Sequence, residues 1–308
     1  MAINRVEVKD FLVFKGEFTA NFCPGINVFI GGNGTGKTTL LKLLFWYAKF
    51  YMHTDSDFVD IEHIYGVSSG QINLHKLPQI NCNDDEKVIY IPEKDIFEHA
   101  RGLLTFIDQK PTGFNKIYKD ALIRAQDIPT KIQTDTQKKI EKKIEEITGG
   151  HMEWVPSEGT YYTVRKDGMR IPFSIEASGF KKLGYLGLLV TCGQLEPGTI
   201  LLWDEPENSL NPELVPILVD ILLELSKNGV QIFVATHNYN LTRYFDVRRD
   251  KEIPVMFYNL YKADDNQIAN YSSSDYLKLT NNHLETASGD LFKAVVNDGF
   301  GKWEDDDE

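Results

Sequence analysis

Gly31-Gly32-Asn33-Gly34-Thr35-Gly36-Lys37-Thr38 is the most informative stretch of this 308-residue chain. It matches the pattern G-x-x-x-x-G-K-[ST], in which glycines let backbone N–H groups converge on phosphate oxygens. The run Ile26–Ile30 before it is typical of a strand, and the leucine-rich segment from Thr38 to about Met52 has helical spacing. A strand, a glycine-rich loop and a helix in this order predict a phosphate-binding loop at a helix N-terminus.

The chemistry of this pattern gives its residues separate roles. We expect Lys37 to reach the β- and γ-phosphates of a nucleotide, and the Thr38 hydroxyl to ligate Mg²⁺. A glycine-rich turn without a ligand is the alternative, and the flanking strand and helix argue against it. The predicted nucleotide-binding residues are Gly31, Asn33, Gly34, Thr35, Gly36, Lys37, Thr38 and Thr39.

A second apolar run, Ile200–Trp203, ends in the acids Asp204 and Glu205. An acid at the tip of a buried strand can hold Mg²⁺ directly or through water, so Asp204 is predicted as a metal ligand together with Thr38. Glu205 is then free to polarise the attacking water as general base. Taken alone, the pair could be an acidic junction between a strand and a loop. The phosphate loop upstream favours the catalytic interpretation.

His237 follows a third apolar run, Val230–Ala235. A histidine just beyond a buried strand often only caps the edge of the sheet. Because the chain also has the phosphate loop and the two acids, we expect His237 to sense the γ-phosphate and to orient the water. Lys37, Glu205 and His237 are therefore the predicted catalytic residues.

The order of strands and helices predicts an α/β P-loop fold. Strand, helix and strand alternate in the C-terminal half, which favours a parallel, doubly wound sheet, and residues 3–30 predict an antiparallel β portion at the N-terminus. We interpret the chain as a single domain of three parts. These are a core lobe at about 1–94 and 170–265, an inserted helical and β-hairpin lobe at about 95–169, and a helical tail at 266–308.

The segment from about 114 to 148 has a helical pattern with four lysines mostly off its apolar stripe, Lys138, Lys139, Lys142 and Lys143. A solvated helix face is one explanation, and contact with a phosphate backbone is the other. The net charge of −12 excludes a globally basic nucleic-acid coat. Any DNA binding, carried by these lysines with Arg243, Arg248 and Arg249, should therefore be weak and sensitive to salt.

In their order and spacing, the three segments resemble those of the ABC-type ATPases, in particular the RecF/SMC/OLD-like branch. Gly25–Leu44 is similar to the phosphate loop of that branch, and Thr236–Asn238 to its switch-histidine motif. Asp204–Pro212 is similar to the segment that joins the Mg²⁺ ligand and the base to the D-loop, here about Asn208–Asn211. The resemblance implies an ABC-ATPase-like fold and Mg²⁺-dependent ATP hydrolysis, with ATP and Mg²⁺ bound.

Two segments depart from the broader ABC pattern. The signature L-S-G-G-Q appears here as Ala177–Lys181. By resemblance, Ser178 and Gly179 would contact the γ-phosphate of a nucleotide that another subunit holds. The glutamine loop is replaced by Pro92-Glu93-Lys94, in which Glu93 either stands in for the glutamine or is a plain loop acid.

The resemblance also implies a homodimer that closes head-to-tail around two ATP molecules and acts on an effector, in DNA repair or anti-phage defence. About 45 residues follow the last predicted core strand, too few for the Toprim domain of the larger members. We therefore expect the effector, a nuclease or a toxin, to be a separate polypeptide. The alternatives are an ABC-transporter motor, which the altered signature and Asp204–Pro212 disfavour, and a non-hydrolysing nucleotide switch, which Glu205 and His237 disfavour.

The apolar stretches, the N-terminal residues and the cysteines together predict a cytoplasmic protein without a membrane partner. The longest apolar stretches, such as Leu183–Cys192, have about half the length of a membrane-spanning helix. The N-terminal residues carry charge early and do not resemble a secretory signal. Three widely separated cysteines, without metal-ligand spacing, fit a reducing compartment.

Overall fold

The computed structural model describes residues 2–50, 59–60, 71–76, 87–98, 100–109, 113–130, 132–250, 252–263 and 266–304. In chain order, its strands and helices are β1 (Ile3–Phe11), β2 (Phe14–Asn21), β3 (Ile26–Gly31), α1 (Lys37–Phe50), β4 (Val59–Asp60), β5 (Gln71–Lys76), β6 (Val88–Ile91), α2 (Ala100–Gln109), α3 (Gly113–Arg124), α4 (Asp135–Thr148), β7 (Gly150–Val155), β8 (Thr160–Arg165), β9 (Arg170–Pro172), α5 (Ser178–Thr191), β10 (Ile200–Asp204), α6 (Val215–Lys227), β11 (Gln231–Ala235), α7 (Tyr239–Arg248), β12 (Val255–Lys262), β13 (Ile268–Ser273) and α8 (His283–Glu304). Short 3-10 turns at Pro212–Leu214 and Tyr276–Lys278 precede α6 and α8.

Six strands form the central sheet, in the order β13-β12-β3-β11-β10-β6. The strands from β12 to β6 are parallel, and β13 is antiparallel to β12 at the edge. Every residue of β3, β6, β10 and β11 is buried, as expected for a parallel sheet covered on both faces. The predicted parallel sheet is confirmed, and the carboxyl ends of β3, β10 and β11 meet at one edge.

An antiparallel sheet in the order β2-β1-β5-β4 forms the predicted N-terminal β portion. Inward side chains such as Val6, Val8 and Phe18 are buried in a core cluster with α1 and with one face of the central sheet. Leu44 of α1 and Phe233 of β11 belong to the same cluster. This packing between two sheets fixes the position of α1, whose first turn follows the phosphate loop.

The opposite face of the central sheet packs against α5 and α6, and a third sheet in the order β7-β8-β9 extends this layer. One core cluster joins Leu122, Ile144 and Tyr161 of the predicted inserted lobe to Leu201 and Val234 of the central sheet. The division into lobes stays a prediction. No helix in the ranges described has the length and apolarity needed to cross a membrane.

The single helical pattern predicted over about 114–148 is wrong, because two helices form there. α3 ends at Arg124 and α4 begins at Asp135. Pro129 lies between them, and proline cannot donate a backbone hydrogen bond inside a helix. Thr134 and Gln137 then form a capping box, in which each side chain binds the backbone N–H of the other residue.

The helical tail predicted from residue 266 onward is wrong in its first part. Ile268–Ser273 is strand β13, which pairs with β12 from Phe257↔Ser273 to Lys262↔Ile268. Pairing with an antiparallel strand satisfies the open edge of the sheet, and this tertiary contact outweighs the polar composition of the segment. Only α8 makes the tail helical. The first helix is described as far as Phe50, and its predicted end at Met52 lies outside the described residues.

Candidate functional site

At the loop between β3 and α1, Gly31, Gly34 and Gly36 all have a positive φ, and two of them also lie against neighbouring strands. Gly31 has φ +139° and Gly36 has φ +89°, conformations in which a side chain is strained. A Cβ at Gly31 would lie 2.1 Å from the Leu260 carbonyl oxygen, and a Cβ at Gly36 would lie 2.8 Å from the Phe14 ring. The loop therefore lies directly on its neighbouring strands, and it leads into the N-terminus of α1.

The other predicted binding residues occupy the same loop. Asn33 and Gly34 are exposed at its tip, and Thr39 is half-buried in the first turn of α1. Thr35 is buried, and its hydroxyl donates to the Gly32 carbonyl oxygen at 2.9 Å, which stabilises the turn. The structure thus brings the eight predicted residues together in this loop and in the first turn of a 14-residue helix, whose N-terminal N–H groups suit a phosphate.

Lys37 lies across its own loop. Its Nζ donates to the carbonyl oxygens of Gly31 at 2.8 Å and Gly32 at 3.0 Å, and the side chain is buried. Burial lowers the pKa of Lys37 to about 8, although the negative charges of Glu205 and Asp204 act in the opposite direction. A desolvated ammonium group between neutral carbonyls would gain strongly from an anionic partner.

Thr38 and Asp204 meet at the carboxyl edge of the sheet. The Thr38 hydroxyl donates to Asp204 Oδ1 at 3.1 Å, and the Tyr90 hydroxyl donates to Asp204 Oδ2 at 3.3 Å. Burial raises the pKa of Asp204, against the effect of these hydrogen bonds and of Lys42. Mg²⁺ prefers oxygen ligands and usually takes one or two carboxylates besides phosphate oxygens and water. This hydroxyl and carboxylate are therefore suited to hold the ion, and their role as its ligands stays a prediction.

Glu205 and His237 face each other across the ends of β10 and β11. His237 Nε2 lies 3.7 Å from Glu205 Oε1. Burial and the negative charges of Glu93 and Asp204 raise the pKa of Glu205, which makes its carboxylate a better base. Burial and the positive charge of Lys37 lower the pKa of His237, against the effect of Glu93, which favours the neutral form of the imidazole.

Lys182 is a buried residue of this site that the sequence did not indicate. Its Nζ donates to the main-chain oxygen of Glu205 at 3.0 Å. Burial lowers its pKa, against the effect of Glu207 and Glu93. No local pattern marks Lys182, because the carbonyl it binds lies 23 residues further along the chain.

Glu93 follows β6 at the position of the missing glutamine loop. Its Oε1 accepts a hydrogen bond from Asn208 Nδ2 at 3.3 Å. It also lines a cavity of about 290 Å³ together with Thr38, Lys42 and Asp204. Glu93 therefore shares a cavity with the predicted metal ligands, and its role as a substitute for glutamine stays a prediction.

The start of α5 packs against the D-loop of the same chain. A Cβ at Gly179 would lie 2.7 Å from the Ser209 carbonyl oxygen and 3.0 Å from Leu210 Cδ2. Ser178 is exposed beside it, and its hydroxyl makes no hydrogen bond within the ranges that the structure describes. The helix start has no side-chain cap, since Ala177 precedes it. The Ser178 hydroxyl is thus accessible to a ligand from outside the chain, at a helix start whose first N–H groups lack a side-chain partner.

The basic residues considered for DNA contact are largely paired within the chain. Arg243 and Arg249 form ion pairs with Asp246, and Arg248 forms one with Asp220. Of the four lysines of α4, Lys139 lies 3.2 Å from Glu224 of α6, and Lys142 lies 4.0 Å from Glu146 of the same helix. This pairing reduces the positive charge available to a phosphate backbone.

Two family models match this chain. Residues 1–124 match the family described as "AAA ATPase domain", and residues 105–243 match the family described as "AAA domain, putative AbiEii toxin, Type IV TA system". Together they span the phosphate loop and the loops that carry Asp204, Glu205 and His237. A comparison with curated proteins found no significant match.

Solved structures with a similar fold include two Smc heads. One is an Smc head domain with an extended coiled coil, bound to the C-terminal domain of ScpA and derived from Pyrococcus furiosus. It has a TM-score of 0.50 at 12% identity, over 95% of this chain and 99% of that chain. The other is an SmcHead bound to the C-winged helix domain of ScpA, with a TM-score of 0.52 at 13% identity, over 89% and 98% of the two chains. At these identities the similarity concerns the fold.

Proposed function

Because two AAA-family models match parts of this chain and its fold is similar to that of an Smc head, in agreement with its resemblance to the RecF/SMC/OLD-like branch, we propose that it binds ATP with Mg²⁺ and hydrolyses it. One observation carries the proposal. Lys37, Thr38, Asp204, Glu205 and His237 come from distant parts of the sequence and converge at the carboxyl edge of β3, β10 and β11. Ligands of parallel α/β sheets bind at this edge.

Each group has a place in the hydrolysis. Lys37 would leave the carbonyl oxygens of its loop and donate to the β- and γ-phosphates. Thr38 and Asp204 would hold Mg²⁺, whose charge offsets the negative charge of the transferring phosphoryl group. Glu205 would accept a proton from the attacking water, and His237 would orient that water against the γ-phosphate.

Replacing Glu205 by glutamine separates binding from hydrolysis. Glu205→Gln keeps the shape of the side chain but loses the base, so ATP should still bind while phosphate release falls about 10²–10⁴-fold. Lys37→Ala should weaken both, because it removes the charge that bridges the phosphates. Glu224→Gln on α6 is the control and should keep the parental rate. A parental rate in Glu205→Gln would refute the assignment of the base, and a parental chain that binds ATP without releasing phosphate would favour the nucleotide switch.

We also propose that two chains close around two ATP molecules. The exposed Ser178 at an uncapped helix start supports this arrangement, because a γ-phosphate held by Lys37 of one chain could accept hydrogen bonds from Ser178 of the other. Light scattering of Glu205→Gln tests it, since this variant should dimerise when ATP is added. A variant that binds ATP and stays monomeric would contradict the dimer.

We further propose that this ATPase acts on a separate effector protein, a nuclease or a toxin. The two proteins would belong to a cytoplasmic system for DNA repair or anti-phage defence. Two findings support it: one matched family is described by a toxin of a toxin–antitoxin system, and both Smc heads are bound to parts of a second protein. The products of neighbouring genes should be co-expressed with this chain and tested for a complex with and without ATP. Co-purification with an integral membrane protein instead would favour the transporter alternative.

A further inference from the structure

One side-chain contact joins the two loops that carry the proposed base and the switch histidine. The first loop follows β10 and includes Glu205 and Glu207, and the second is Thr236–Asn238 after β11. The Thr236 hydroxyl donates to Glu207 Oε1, and it accepts a hydrogen bond from Asn238 N at 2.9 Å. The Glu207 carboxyl group thus reaches the residues on both sides of His237 through a single hydroxyl.

The second loop is held mainly through its two ends. Thr236 is fully buried, and its N–H donates to the Phe29 carbonyl oxygen at 3.0 Å. Asn238 caps α7 by accepting a hydrogen bond from Leu241 N at 2.9 Å. His237, half-buried between them, is oriented by these two neighbours.

Glu207 is placed where a carboxyl group is costly. Its Oε2 is buried and has no hydrogen-bond partner among the residues described. Burial also raises the pKa of Glu207, against the effect of the hydrogen bond from Thr236. A buried polar atom left without a partner destabilises a fold, which points to a role other than stability for this side chain.

The first loop is also tied to the start of α5. Gly179 packs within van der Waals distance of Ser209 and Leu210, and Lys182 donates to the Glu205 carbonyl oxygen. Leu210 N in turn donates to the Glu207 carbonyl oxygen at 3.0 Å. A continuous series of contacts therefore leads from the exposed start of α5, through the D-loop and Glu207, to His237.

We propose that Glu207 is a positioning residue that holds His237 at its distance from Glu205 and transmits a displacement of the D-loop to that pair. This inference rests on the proposed hydrolysis and on the proposed dimer, in which a second chain would press on the start of α5. The contact needs an acceptor oxygen at the end of a side chain of this length. Glutamine supplies one, aspartate keeps the charge but ends one methylene earlier, and alanine supplies neither.

Steady-state phosphate release of four variants tests the proposal. Glu207→Ala, Glu207→Asp and Thr236→Val should each lower turnover by up to about 10²-fold, the loss expected when a catalytic group is misplaced by about 1 Å. Glu207→Gln should restore most of the rate. KM and ATP affinity should stay at the parental values, because neither residue contacts the predicted phosphate loop. Thr242→Val, which removes another fully buried hydroxyl bonded to Tyr239 O at 2.7 Å, is the matched control and should keep the parental rate.

A double variant and a spectroscopic readout complete the test. Glu207→Ala/Thr236→Val should be no slower than the slower single variant, because both changes remove the same contact. The NMR signal of ¹³C-labelled His237 should shift in Glu207→Ala and not in Thr242→Val. The proposal is overturned by a parental rate in Glu207→Ala, by glutamine as slow as alanine, by losses that multiply in the double variant, or by an unmoved histidine signal. That signal is measurable without hydrolysis, so an inactive parental chain would refute only the proposed function.

Discussion

A methyl group added at Gly179 should displace the D-loop, whereas the same change at Gly184, five residues further along α5, should not. A Cβ at position 179 would lie 2.7 Å from the Ser209 carbonyl oxygen, closer than a real Cβ approaches any atom, so the D-loop backbone must shift. A Cβ at position 184 would lie 3.5 Å from Met152 Cβ, an ordinary van der Waals contact. The two glycines therefore form a matched pair in one helix.

The difference in unfolding free energy between the two alanine variants isolates the cost of overpacking. Alanine is favoured over glycine inside a helix by about 0.5–1 kcal/mol, so Gly184→Ala should be stabilised by up to this amount. Overpacking costs about 1–3 kcal/mol, and the unfolding free energy of Gly179→Ala should be lower than that of Gly184→Ala by about this amount. At about 2–4 °C per kcal/mol for chains of more than 150 residues, the melting temperatures should differ by several degrees.

Urea unfolding followed by circular dichroism measures the stabilities, and phosphate release measures the consequence for the site. Because the D-loop continues directly from Glu205, a shifted Ser209 should lower turnover in Gly179→Ala, while Gly184→Ala should keep the parental rate. Equal stability and equal turnover in the two variants would refute the close packing of α5 on the D-loop. The same result would also refute the series of contacts that leads from Ser178 to His237.

ATP affinity should fall about tenfold from pH 7 to pH 9, because a lysine with a pKa of about 8 goes from about nine-tenths to about one-tenth protonated. Lys37→Arg, whose charge is constant, should bind with a flat profile in a fluorescence titration, and an equally steep profile would exclude Lys37 as the titrating group. Lys37→Ala and Ser178→Arg should each be inactive alone and regain phosphate release when mixed, since one site of the heterodimer keeps both residues. No regain, in chains that dimerise with ATP, would contradict a role for Ser178 across the dimer. Changing the four lysines of α4 to glutamine should flatten the dependence of log DNA affinity on log salt, by about 0.9 for each phosphate that the helix no longer neutralises. An unchanged slope, or no binding at low salt with ATP, would exclude this helix.

The centre of the site could be predicted because each of its signals is local. Glycines at fixed spacing before Lys37 indicate the phosphate loop, and an apolar run that ends in Asp204 and Glu205 indicates a buried strand with acids at its tip. Their convergence follows from the parallel sheet, which places the carboxyl ends of its strands at one edge. The order of strands and helices in the sequence is thus enough to predict that these residues lie close together.

The errors in the fold have two different physical causes. The gap between α3 and α4 had local signals, Pro129 and the Thr134–Gln137 capping box, but helical periodicity on both sides concealed them. Strand β13 had no clear local signal, since half of Ile268–Ser273 is polar without a regular alternation, and the segment becomes a strand by pairing with β12. The first error was avoidable from the sequence, and the second required the tertiary pairing.

Lys182 and Glu207 lie beyond prediction for a further reason, because each acts through a partner far along the chain. Lys182 binds a carbonyl 23 residues away, and Glu207 binds a hydroxyl 29 residues away. Both are charged side chains held in largely buried positions, next to a Glu205 whose φ of +46° is unusual for a residue other than glycine. The loop after β10 thus holds the unusual backbone of Glu205 and the unpartnered buried oxygen of Glu207, and Lys182 of α5 binds it from the neighbouring helix. A site that served only to bind nucleotide would need the phosphate loop and its metal ligands. The strained backbone of Glu205 and the buried charges of Lys182 and Glu207 lie between α5 and the proposed base. Such features are expected if the rate of hydrolysis depends on contacts made at the start of α5.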